Sequence, residues 1–260
     1  MLSHSLLDDR LCLQLLPRAA YSSRDPVRWA SLGITLERQQ GVHAIDSDRR
    51  VDFDTYAGVL AQTPVGVDVF SESARGGEYL VLRLETTLAQ QLLPASTGRV
   101  QASGQRRALQ QAMALRRLLL APRADRLALE EAAMGFIAQA NAPILPSKVE
   151  AGALSQVLDR IGDEHHQPLS LAQLASTYGH DALRFLRDFT QVMGVTPHAY
   201  LVQVRLQTAR CLIEQTDQPL ASIALEAGFA HQSHMGSAFR KHLGMTPGQY
   251  RLRMGSCSPP

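Results

Sequence analysis

Gly194-Val195-Thr196-Pro197-His198-Ala199-Tyr200 returns as Gly244-Met245-Thr246-Pro247-Gly248-Gln249-Tyr250, an offset of 50 residues that Phe189 and Phe239 also keep. Ahead of each copy, a short apolar helical pattern runs into a glycine turn and then into a second helical pattern. Helix, tight turn, helix is the order of a helix-turn-helix unit, and two copies in register with one shared ending are hard to obtain by chance. Two copies are too few for a solenoid. They suit a protein that grips two adjacent segments of DNA.

Each unit can be built outward from these endings. In the first, Leu154, Val157, Leu158 and Ile161 form an i, i+3, i+4, i+7 stripe. Ser170 with Gln173 has capping-box spacing, predicting a helix from Leu171 to Tyr178 with Leu171, Leu174 and Ala175 inward. Gly179 makes the turn, and Asp181 caps a helix from Ala182 to Val192 anchored by Phe185 and Phe189. Leu183, Arg184, Arg187 and Gln191 then lie on the opposite side, free to enter a major groove. Thr196-Pro197 starts a long helix reaching Gln215. Its ~19 residues span about 28 Å, near the ~34 Å between successive major grooves on one side of DNA. The second unit is expected to start at Asp217 as a cap, with Leu220, Ile223 and Ala224 as its apolar face and Ala227-Gly228-Phe229 as its turn. Its second helix runs from Gln232 to Leu243 with Met235 and Phe239 buried, leaving His231, Gln232, His234, Gly236, Ser237 and Arg240 for DNA.

These residues resemble the DNA-binding domain of the AraC/XylS transcription regulators. The resemblance rests on Ile223-Ala224, Gly228-Phe229, Gln232-Ser233, Phe239-Arg240-Lys241 and Gly244 to Arg251, with Tyr200, Arg205-Leu206, Ala209 and Leu212-Ile213 in the long helix. It covers roughly residues 150 to 253. Asp181 stands where the family usually has serine, His231 where an acid is common and Met235 where phenylalanine is common. The resemblance implies that Leu183, Leu186 and Arg187 of the first helix, and Gln232, His234, Gly236 and Ser237 of the second, face bases. Arg187 is the prime candidate, because a guanidinium reads guanine bidentately; its alternative role is an ion pair with Asp188 or Asp181. Arg240 and Lys241 suit phosphate contacts, which position without specifying.

Composition sets the limits. The 260 residues are 45% hydrophobic, enough for one large domain or two modest ones. The aromatic fraction of 5% argues against a base-stacking platform, and a net charge of +2 means that DNA affinity depends on local placement. Three scattered cysteines without Cys-x-x-Cys fit a reducing compartment and no structural zinc. No apolar run approaches ~18 residues, and Asp8, Asp9 and Arg10 interrupt the N-terminus, so a cytoplasmic protein without signal peptide or membrane span is expected.

The fold class expected is α+β, in three zones. Residues 1–98 read as a cupin-like β-barrel regulatory domain, with Val67–Phe70 and Tyr79–Leu84 as a hairpin about Ala74-Arg75-Gly76-Gly77. Gly58, Pro64 and Gly66 have the spacing of a cupin motif, but Val69 stands where a metal-binding cupin places histidine, and His43 is alone, so no metal is expected. The glycines and Pro64 then read as turns. Arg38, His43, Glu72, Glu78 and Arg83 are candidate polar groups for a small-molecule effector inside the barrel. Residues 99–142 read as a helical connector and dimerisation element, with Ala108, Ala112, Leu115 and Leu119 as one stripe and Leu127, Met134 and Ile137 as the next; Pro122 separates them, and Asn141–Ser147 is the linker. Residues 150–255 form the double helix-turn-helix domain, followed by a frayed tail from Met254.

The function expected from residues and resemblance together is a sequence-specific DNA-binding transcriptional activator, homodimeric, contacting RNA polymerase, with no cofactor and no catalytic residue. A repressor without ligand is the alternative within that class. A DNA-repair enzyme carrying the same domain would need a cluster of N-terminal cysteines, and Cys12 stands alone. A protein-interaction role for Leu183 and Leu186 is the third possibility.

Overall fold

The computed structural model describes residues 2–121, 124–141 and 154–255, which fall into two compact units, Met1–Pro146 and Ser147–Pro260. Pro122, the expected linker beyond Asn141 and the tail beyond Gly255 lie outside the described residues.

The first unit opens with nine strands: β1 (Leu2–Leu6), β2 (Leu11–Leu16), β3 (Tyr21–Arg24), β4 (Ala30–Thr35), β5 (Gln39–Ile45), β6 (Val51–Thr55), β7 (Leu60–Thr63), β8 (Val69–Ser73) and β9 (Tyr79–Leu84). Helix α1 (Thr86–Leu92), strand β10 (Val100–Ala102) and helices α2 (Arg106–Leu119) and α3 (Arg126–Ile137) follow. Two antiparallel sheets result, in the orders β1-β2-β9-β4-β7-β10 and β3-β8-β5-β6. Closure into a barrel requires hydrogen-bonded pairing all the way round. Among the described residues the two sheets share no strand and do not pair at their edges, so the expected barrel is corrected to two separate sheets.

The expected hairpin is corrected as well. β8 pairs with β3 and β5, whereas β9 pairs with β2 and β4, so the segment 74–78 carries the chain from one sheet to the other. Gly76, at φ +60°, is held where an added Cβ would lie 2.0 Å from the Ala19 carbonyl oxygen. Glycine there serves a close crossing, not a two-strand turn. Gly58 (φ +90°) and Gly66 (φ +93°) are turns, as expected.

Strand periodicity sorts the six-stranded sheet into two faces. Leu80, Leu82 and Leu84 alternate with Tyr79, Val81 and Arg83, and the leucines join Leu11, Leu13, Leu32 and Ile34 in a fully buried layer. Helix α2 packs on β4 through the expected stripe, since Ala108, Ala112, Leu115 and Leu119 are all buried. The stripe expected for α3 is corrected. Leu127 is 64% exposed and Met134 38%, and the buried side is Leu129, Ala133, Phe136 and Ile137. That row repeats at i, i+4, i+7 and i+8, a fuller helical face. β10 begins at Val100 and pairs with β7, so the zone read as helical connector starts with a strand.

The second unit is all helix: α4 (Ser155–Glu164), α5 (Leu171–Tyr178), α6 (Ala182–Met193), α7 (Pro197–Gln215), α8 (Leu220–Glu226), α9 (Gln232–Leu243) and α10 (Pro247–Gly255). α10 runs through Met254, where a frayed tail was expected. Helix α7 contacts α4, α6, α8, α9 and α10, which makes it the axis of the unit. The sequence repeat is a repeat of packing. Phe189 meets Tyr200 edge-on at 5.8 Å between ring centroids, and Phe239 meets Tyr250 at 5.7 Å. Edge-to-face pairs of this separation add to the burial of the rings. No described helix is long and apolar enough to cross a membrane.

Candidate nucleic-acid interface

The two units end their short helices differently. Ser170 accepts from the Gln173 amide (3.2 Å) while the Gln173 side chain accepts from the Ser170 amide (2.8 Å), a complete capping box on α5. In the second unit Asp217 does not cap. Pro219 occupies that position, its fixed φ of −56° leading directly into α8. The turns differ too. Gly179 (φ +78°) has open space where a Cβ would sit, whereas at Gly228 (φ +86°) a Cβ would lie 2.5 Å from the His165 carbonyl oxygen and 2.9 Å from Arg205 Nε. Arg205 donates to that same carbonyl at 2.7 Å and to the Gln167 carbonyl at 2.9 Å, locking the end of α4 onto α7 beside the second turn.

Asp181 caps α6 through the amides of Leu183 (3.0 Å) and Arg184 (2.9 Å). The Arg184 amide first, with the Leu183 amide, holds its carboxyl below the usual carboxylate range. Phe185 and Phe189 are fully buried, and Leu183, Arg184, Arg187 and Gln191 are exposed, Leu183 at 77%. Leu186 is half-buried, and Leu171, expected inward, is 39% exposed.

Asp188 is the group that sequence reasoning undervalued. Its side chain is only 8% exposed, yet it pairs with Arg184 Nε and with Arg187 Nε, each at 3.6 Å. It also accepts from the Tyr178 hydroxyl at 3.3 Å. One buried carboxylate thus steers two exposed guanidiniums on the same face of α6. The signal was present in the i, i+4 spacing of Arg184 and Asp188; that the carboxylate is buried was not legible.

On α9, His231 takes the N-cap position. Its Nδ1 accepts from the His234 amide at 3.2 Å, which requires an unprotonated ring nitrogen. Gln232, Ser237 and Arg240 are exposed, and Ser237 donates to the Ser233 carbonyl at 3.1 Å. His234 is half-buried with its ring edge-on to Phe229 at 5.2 Å. Gly236 is buried, with only the Arg240 side chain within 4 Å of where a Cβ would sit. Arg240, one turn on, brings a guanidinium nitrogen 4.0 Å from where its Cβ would be, and it is Arg240 that presents the surface there. The accessible cations of α9 gather in its last turn, Arg240 and Lys241, whereas those of α6 lie in its first two turns.

Between the two sheets of the first unit lies a cavity of about 520 Å³. Of the candidate polar groups, His43 and Arg83 line it. Arg38 instead pairs with Asp54, Glu72 with Arg50 at 3.6 Å, and Glu78 with Arg116, both of these last side chains being at most 4% exposed. Tyr21, Tyr79 and Arg99 line the cavity and were missed. The tyrosines alternate along strands with no mark of which face is inward. Arg99 sits in a Pro/Ser/Gly-rich stretch that carries no periodicity.

Residues 174–253 match the family model described as a helix-turn-helix domain. The chain is 35% identical over 97 residues to the probable transcriptional regulator LumQ of Photobacterium leiognathi, covering 37% of this chain and 39% of that one. It is 35% identical over 98 residues to the melibiose operon regulatory protein of Escherichia coli K12, covering 38% and 32%. A solved AraC-type DNA-binding-domain regulator from Chromobacterium violaceum is 28% identical, with a TM-score of 0.39, over 41% of this chain and 96% of that chain. The match thus spans only about a third of the length of the curated relatives. Over residues 174–253 the C-terminal unit is thus a helix-turn-helix domain similar to those of these transcription regulators.

Proposed function

We propose that this protein is a sequence-specific DNA-binding transcriptional regulator, an activator that docks α6 and α9 in successive major grooves. The observation that carries this reading is the pair of capped helices held on one long helix, each with a buried aromatic anchor and an opposite polar, cationic face. Leu183, Leu186 and Arg187 on α6, and Gln232, His234 and Ser237 on α9, are the proposed base-facing residues, with His231 at the tip of α9. Arg184 and Arg240 are the proposed phosphate contacts. The cavity between the sheets suits a cupin-like sensor of a small molecule. The helical zone 99–142 is proposed to pair two copies, with Leu127 and Met134 on its exposed side, and RNA polymerase is the proposed partner on DNA.

Footprinting of the full chain on its own genomic DNA, repeated across salt concentrations, tests this. Protection of two adjacent major grooves per copy, weakening steeply with salt, is expected. Protection without sequence preference would refute it. At the site so found, Arg187→Ala should cost about 1–3 kcal/mol and relax base choice at one position; unchanged specificity would remove its assigned role.

A further inference from the structure

The cavity of the first unit carries an excess of positive charge, and we propose that it binds a small organic carboxylate on an apolar or aromatic body, with Arg99 receiving the carboxylate. This deepens the sensor role just proposed; binding itself is tested independently of DNA.

Three arginines line the cavity, Arg24, Arg83 and Arg99, against Asp25 as the one acid of the lining. Two of them are already answered. Arg24 pairs with Asp68, and Arg83 pairs with Asp25 at 3.2 Å and donates to Gln14. Arg99 is different. Its guanidinium donates to Thr63 Oγ1 at 2.7 Å and has no carboxylate partner among the described residues. A neutral hydroxyl orients a guanidinium without cancelling its charge, which leaves a cation facing a partly desolvated space. A carboxylate matches the guanidinium fork bidentately.

The surroundings suit an anion. Arg99 shares the cavity wall with Tyr79, Tyr21 and His43, and its charge acts on all three. Burial pushes the Tyr21 hydroxyl up to about 12 and the Tyr79 hydroxyl up as well, so both are neutral; Tyr21 donates to Gln39 Oε1 at 3.4 Å, and Tyr79 is the hydroxyl able to donate to a ligand. Burial first, and Arg99 second, lower the pKa of His43, so that the ring does not add a competing cation at neutral pH. Arg83 Nε is buried without a hydrogen-bond partner, a further unanswered donor in the wall. Room for the Tyr79 hydroxyl is made by Gly33, where a Cβ would lie 2.1 Å from it. Leu16, Pro17, Phe53, Val59 and Val81 supply an apolar wall for the body of the ligand. A volume of about 520 Å³ is in the range of small-molecule sites.

The test keeps one body and changes the head: 3-phenylpropanoate, 3-phenylpropan-1-ol and 3-phenylpropylamine, titrated calorimetrically into the full chain. The carboxylate should bind at least about tenfold tighter than the alcohol, as a charge-assisted pair predicts, and the amine should not bind. Arg99→Gln should erase the preference for the carboxylate while leaving the alcohol unchanged. Tyr79→Phe, which keeps the ring, should weaken the carboxylate about threefold, on the scale of one lost hydrogen bond, and keeps the proposal testable if Arg99→Gln does not fold. Equal binding of the three heads, preference for the amine, a preference that survives Arg99→Gln, or no carboxylate binding at about 10 mM, where even weak native-state ligands register, would overturn it. Carboxylate binding that leaves the DNA footprint unchanged would keep the site and remove the sensor role. Carboxylate binding by a chain that protects no DNA would keep the site and remove the regulator reading.

Discussion

Asp188→Asn isolates what a buried carboxylate does for α6, the first of the helices proposed to face DNA. Asn keeps the shape and still accepts from the Tyr178 hydroxyl, so the change removes charge and little else. Each of the two ion pairs is 3.6 Å long, with guanidiniums 53% and 72% exposed on Arg184 and Arg187. At an effective dielectric of about 20, the gross attraction is roughly 4–5 kcal/mol per pair. Water around the exposed guanidiniums returns most of this, and exposed pairs measure about 0–1 kcal/mol. Removing the carboxylate strands no buried cation, so the penalty of about 3–5 kcal/mol for a broken buried pair does not apply. The expected loss is therefore about 1–2 kcal/mol in urea denaturation of the full chain. The effect on DNA runs the other way. A negative charge disappears beside the expected phosphate path, so binding to a scrambled duplex should strengthen and its salt slope steepen by about 1. Binding to the footprinted site should gain less, because Arg184 and Arg187 are no longer pre-aimed, and specificity should fall by roughly tenfold. Unchanged stability together with an unchanged ratio of specific to non-specific affinity would refute the reasoning.

The two glycine turns separate backbone strain from steric fit. Gly179→Ala meets only an unfavourable positive φ and should cost about 1–2 kcal/mol. Gly228→Ala adds contacts of 2.5 Å and 2.8 Å with the backbone at His165 and His166 and should cost about 1–3 kcal/mol more; equal midpoint shifts in thermal denaturation would argue against the close approach. Asp181 ties stability to acid pH. Its folded pKa is depressed, so its contribution is present above the unfolded value and is lost as pH falls through the folded one. Asp181→Asn keeps a cap acceptor and should flatten the fall of stability below about pH 4; an identical acid limb in wild type and variant would rule out this cap as a contributor.

Several helix boundaries and aromatic anchors of the second unit can be traced to short range. Helix boundaries at Pro197–Gln215 and Gln232–Leu243 follow from Thr196, His231 and the glycines Gly194 and Gly244, each acting within a turn of the residue it caps. The inward faces through Phe185, Phe189, Met235 and Phe239 follow from helical periodicity. Here the sequence needs no knowledge of distant segments, and the repeat states the same arrangement twice.

The sequence by itself thus determined the two helix-turn-helix units, the caps at Ser170, Asp181 and Thr196, and the buried aromatic anchors of α6 and α9. Tertiary structure alone decided the rest. It split the strands into two sheets, because the partners of β8 and β9 lie tens of residues away and the turn 74–77 reads alike whether it closes a hairpin or crosses between sheets. It buried Glu78 against Arg116 and Asp188 beneath two arginines, since burial depends on what packs above a residue and not on its own type. It brought Arg99 to Tyr79 and His43 from stretches with no common period. Charges and hydroxyls converge on one cavity only when the chain has closed around it, which is why the structure, and not the spacing of residues, locates the candidate ligand site.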